Sequence, residues 1–103
     1  MIQKSLFVTT CAVGLVLSAI GAQAAVDKHA RNIAASCAAC HGTNGHSVGG
    51  TPVLAGMDKA MFVASMKDFK SGARPATVMH QHAKGYTDEE FELLAEHFNA
   101  QKR

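Results

Sequence analysis

Cys37-Ala38-Ala39-Cys40-His41 constrains this chain more than any other stretch. The spacing is C-x-x-C-H, the attachment signature of a c-type haem. Each cysteine can form a thioether to one haem vinyl group, and the next residue, His41, then lies under the iron as proximal ligand. Five consecutive residues supply two covalent bonds and one coordinate bond. The rest of the chain must fold around that anchor.

Three other uses of the motif fit less well. A thioredoxin-like redox pair needs a βαβ scaffold, and no convincing strand is legible here. A zinc site would need a second ligand pair at the usual spacing. That pair is missing, and adjacent Cys40-His41 would crowd a tetrahedral ion. A disulfide between Cys37 and Cys40 would close a very small loop and leave His41 unexplained.

Residues 1–24 read as a secretory signal peptide, with Lys4 as a short basic start, an apolar run from Leu6 to Ile20, and the A-x-A site Ala22-Gln23-Ala24. Cleavage is predicted after Ala24 and removes Cys11. The apolar run is short for spanning a bilayer, so no stable membrane insertion is expected after cleavage. The predicted location is the periplasm, which agrees with a haem joined outside the cytoplasm. Residues 25–103 then form one small mono-haem domain. It carries nine basic and eight acidic residues, without the basic stripe of a nucleic-acid-binding protein.

That domain has a thin core. Phe62, Phe69, Tyr86, Phe91 and Phe98 are its only aromatics. Domains this small often need a staple such as a metal or cofactor. Burying roughly 400 Å² of apolar haem surface at about 25 cal/mol/Å² contributes on the order of 10 kcal/mol, comparable to the whole stability of a typical domain. The chain without haem is predicted to be largely unfolded.

The patterning is all-α. Ala30, Ile33, Ala34 and Cys37 make one apolar face of a helix over Asp27–Cys37. Gly42–Gly56 holds five glycines and Pro52 and reads as a loop, with Leu54 and Val53 placed to press on the macrocycle. Asp58–Ser71 is a second helix, with Phe62, Met66 and Phe69 inward and Gly72 as its stop. Met57 and Met61 are expected to pack. Thr87-Asp88-Glu89-Glu90 is a capping box for a third helix with Phe91, Leu94, Ala95 and Phe98 buried. The acids from Asp88 to Glu96 read first as a solvated face.

An exported chain of about three helices, with C-A-A-C-H near its start and a methionine before the last helix, resembles class I cytochrome c. The longer strings C-A-A-C-H-G-T-N-G-H-S-V-G, T-P-V-L-A-G, D-F-K-S-G-A-R-P and T-V-M-H-Q-H-A-K-G-Y-T-D-E-E resemble the cytochrome subunit of flavocytochrome c sulfide dehydrogenase. The resemblance implies one covalent haem c here, with Cys37 and Cys40 as thioether residues, His41 as proximal ligand and Met79 as distal ligand. It places the carbonyl beside Pro52 on the other ring nitrogen of His41. Met57 departs from the family pattern, in which a polar residue often follows L-A-G.

Met79, His80 and His82 are all chemically able to ligate. His82 is the runner-up to Met79 and would give a bis-histidine site of lower potential. His80, next to Met79, is expected to point towards solvent or a propionate. The resemblance further implies a heterodimer with a flavoprotein that carries FAD and oxidises sulfide, the haem passing electrons on to a downstream acceptor. No G-x-G-x-x-G fingerprint occurs here, so no catalysis is expected from this chain alone. The alternatives are a free mono-haem electron shuttle and a haem-based ligand sensor.

Overall fold

The computed structural model describes residues 21 and 23–103. Cys11 and most of the expected signal peptide lie outside the described residues. Every regular element among those described is helical. α1 covers 23–34 and runs into a 3-10 turn, Ala35–Cys37. Then come α2 (Ala38–His41), a second 3-10 turn (Thr43–Gly45), α3 (Lys59–Ser71), α4 (Met79–Lys84) and α5 (Asp88–Asn99). No helix among the described residues is long and apolar enough to cross a membrane.

The three long helices follow the apolar periodicity. In α3 the Asp58 carboxylate accepts from the Met61 backbone N–H at 3.0 Å, satisfying one orphan donor of the first turn. Gly72, at φ 83°, ends the helix in the left-handed conformation. α3 buries Phe62 and Met66. Met61 does not pack as expected and is 59% exposed. One residue from Phe62 is about 100° around the helix, off the buried face.

α5 starts with the capping box read from the sequence. The Glu90 N–H donates to Thr87 Oγ1 at 3.1 Å, and the Thr87 N–H donates to Glu90 Oε2 at 2.9 Å. Glu90 also pairs with His29 of α1 at 3.6 Å, so it is not a purely solvated acid. Phe91, Leu94, Ala95 and Phe98 are buried, and burying each large one contributes about 1.5–3 kcal/mol. The Phe98 ring meets Phe62 across the α3–α5 seam, centroids 5.7 Å apart.

Two departures from the sequence reading matter for the site. The first helix begins by residue 23, earlier than Asp27, and tightens to 3-10 geometry before Cys37. The stretch between α3 and α5, where the sequence patterning marks no helix, contains α4. Its residues Met79-His80-Gln81-His82-Ala83-Lys84 include no Gly, Pro or β-branched side chain, which permits a helix. The N–H groups of Gln81 and His82 close its first turn on the Val78 carbonyl at 3.0 and 3.1 Å.

The loop after α2 is fastened by backbone. Leu54 and Ala55 both donate to the Gly45 carbonyl, at 2.9 and 3.2 Å. Gly45 has φ 79°, and a Cβ there would lie 2.8 Å from the Ala55 nitrogen and 3.0 Å from the Phe98 ring. Gly56 donates to the Phe98 carbonyl at 2.8 Å, and Asn99 Nδ2 donates to the Met57 carbonyl at 2.9 Å. These bonds draw Leu54 into the main core, while Val53 stays 41% exposed.

Candidate haem site

The motif residues sit on short, tightly wound elements. Cys37 closes the first 3-10 turn, and Cys40 and His41 lie on α2. Both thiols are free, Cys37 half-buried against the core and Cys40 exposed. Burial pushes the Cys37 thiol up, against hydrogen bonds from Ser36 and the backbone that pull it down. After His41 the chain turns sharply at Gly42, φ 78°, where a Cβ would meet the His46 carbonyl oxygen at 2.5 Å.

Among the described residues His41 is the one buried polar residue, 8% exposed. Its Nδ1 lies 2.7 Å from the Pro52 carbonyl oxygen. A carbonyl can only accept, so Nδ1 carries the proton and Nε2 keeps the lone pair. This is the arrangement that fixes tautomer and ring orientation in metal-ligating histidines. The sequence expectation for Pro52 is matched by this bond.

The three candidates in the second stretch separate. Met79 is the first residue of α4 and packs, half-buried, against the core cluster that Cys37 also borders. His82 is exposed. His80 departs from the solvent-facing half of its expectation. It is half-buried, and its Nδ1 is shut off from solvent without a hydrogen-bond partner among the described residues.

The residues present fit a haem. An anchored histidine offers a free imidazole nitrogen. Two unpaired thiols stand at the attachment spacing. Val48, Val53 and Val78, in the segments that flank Pro52 and Met79, hold large apolar side chains at the surface, as surface meant to lie against an apolar plate would.

A family model for cytochrome c matches residues 26–101. The chain belongs to the cytochrome c family. Like other members it carries one covalent haem c and serves as an electron carrier of the c type. This cytochrome c is 49% identical over 63 residues to the cytochrome subunit of sulfide dehydrogenase of Chlorobaculum tepidum, covering 61% of this chain and 57% of that protein. It is 39% identical over 64 residues to the thiosulfate dehydrogenase electron acceptor of Stutzerimonas stutzeri, covering 60% and 30%. To cytochrome c-553 of Helicobacter pylori it is 36% identical over 67 residues, covering 63% and 70%. The cytochrome thus spans little more than half the length of the first of these relatives and under a third of the second.

One residue that ties the site together is not singled out by spacing. Tyr86 follows α4, and its hydroxyl reaches Ser36 Oγ at 2.7 Å and the Ile33 carbonyl at 3.1 Å, just ahead of Cys37. In the sequence it is only an aromatic before a capping box, because a contact some fifty residues back along the chain leaves no local pattern.

Proposed function

We propose that this cytochrome c is the haem subunit of a periplasmic flavocytochrome, exported by residues 1–24 and working as the mono-haem domain 25–103. It accepts electrons from a separate flavoprotein that carries FAD and oxidises sulfide, and passes them to a downstream acceptor. The observation that carries the site is the buried His41 held by its Nδ1 bond to the Pro52 carbonyl. The partner is supported by the similarity to the sulfide dehydrogenase cytochrome subunit.

Within this reading Cys37 and Cys40 tether the haem, His41 ligates through Nε2, and Met79 is the distal ligand. When bound, the haem supplies one-electron chemistry. The Pro52 carbonyl keeps His41 in one tautomer, with the proton on Nδ1 and the ring orientation fixed, so Nε2 stays free to ligate. A thioether at Met79 is a soft ligand that favours the reduced state and raises the potential. Residues packed on α4 keep that side chain seated, which limits rearrangement between oxidation states.

The test is capture of the holoprotein from its native periplasm. Co-elution with a flavin-containing chain, and haem reduction by sulfide only in its presence, are expected. A cytochrome that elutes alone and is not reduced by sulfide overturns the subunit reading. The second reading then holds, a carrier without a fixed partner. The distal ligand is read separately. A weak far-red sulfur-to-iron band in the ferric protein, lost in Met79→Ala, is expected; its survival in that variant assigns the ligand elsewhere, with His82 next.

A further inference from the structure

The haem-attachment segment and the Met79 helix lie far apart in sequence, and Tyr86 joins them. Its half-buried ring packs on the core. The Ile33 carbonyl can only accept, so the Tyr86 hydroxyl donates to it at 3.1 Å. With that proton committed, the Ser36 hydroxyl must be the donor in the 2.7 Å contact with the Tyr86 oxygen. Both partners lie within four residues before Cys37.

The other end of Tyr86 is fixed to the distal side. Its N–H bonds to the Ala83 carbonyl at 3.3 Å, in the last turn of α4. Its carbonyl accepts from Lys70 Nζ of α3 at 2.6 Å, and that ammonium also lies 5.4 Å from the centre of the Phe91 ring of α5. One residue therefore links the turn that presents Cys37, the helix that opens with Met79, and the α3–α5 core.

We propose that Tyr86 is a positioning residue that sets the seat of Met79 relative to the haem-attachment motif. The inference rests on Met79 being the distal ligand. Without the phenol oxygen, α4 loses its tie to the proximal side, and an outside ligand displaces Met79 more readily.

Imidazole titration of the ferric holoprotein, followed by the far-red band, tests this. The wild type shows the band. Tyr86→Phe is expected to bind imidazole about tenfold more tightly, as follows from losing two hydrogen bonds of ordinary net strength. Ser36→Ala removes one of the two, and about a threefold gain is expected. Thr87→Ala is the control: it removes the α5 cap next in the chain, lowering Tm with unchanged imidazole affinity. Wild-type affinity in both Tyr86→Phe and Ser36→Ala overturns the inference, as does an equal gain in Thr87→Ala, which would mark a general loss of stability. A wild type without the far-red band instead overturns the Met79 assignment, and the Tyr86 inference with it.

Discussion

Segment 35–56 and the helices α3 and α5 are held by different forces. α3 and α5 bury Phe62, Met66, Phe91, Leu94 and Phe98 against one another and are capped at their N-termini by side chains. Segment 35–56 winds through two 3-10 turns and one four-residue helix. It buries only His41, Gly45, Leu54 and Ala55, and relies on backbone bonds to Gly45 and Phe98 and on the His41–Pro52 bond. One region makes its own core. The other is shaped to close around a group the chain does not encode.

The largest test removes that group. A Cys37→Ala, Cys40→Ala double variant made without haem is expected to show no cooperative thermal transition by circular dichroism. A sharp transition close to that of the holoprotein would mean that the α3–α5 core suffices. Phe98 comes next, because its ring touches both regions. Phe98→Ala is expected to cost about 3–5 kcal/mol in urea unfolding, with loss of amide-exchange protection in 43–56 as well as in α5. Protection lost in α5 alone would separate the two regions.

Gly45→Ala strikes the loop while leaving the core side chains in place. Its positive φ and its approach to Ala55 and Phe98 make a cost of about 1–3 kcal/mol the expected outcome, again by urea unfolding. A neutral substitution would show that the loop yields more easily than its backbone bonds imply.

The smallest effect sits where α1 meets α5. Burial, with the Arg31 charge nearby, holds His97 below the usual histidine range. As pH falls the unfolded chain takes up this proton first, so stability is full above the ordinary value of 6.5 and declines as pH drops from there towards the lowered folded value. His97→Gln is expected to flatten the fall in Tm between about pH 7 and pH 5. An unchanged slope would move the acid sensitivity to another group.

Much of this was legible in residues alone. C-x-x-C-H names its own chemistry because two thioethers and an axial ligand need that spacing. Thr87 to Glu90 announced a helix start, since both bonds of a capping box form within four residues. The stripe Phe91, Leu94, Ala95, Phe98 pointed to one buried face because helical periodicity is local. The placement of Met61 failed, since a hydrophobic side chain carries no mark of the face it will occupy. α4 was hidden because six residues make too few turns for a period to show.

The sequence by itself determined the cofactor and the three long helices, since each follows from bonds and spacings within about a dozen consecutive residues, and the family, through strings spread along the chain. Only the tertiary structure decided that Met79 opens a helix packed on the core while His82 stays exposed, and that Tyr86 spans from that helix to the turn before Cys37. Those contacts join residues up to 53 positions apart. The closure of the chain around its core sets such distances, and no local propensity encodes them.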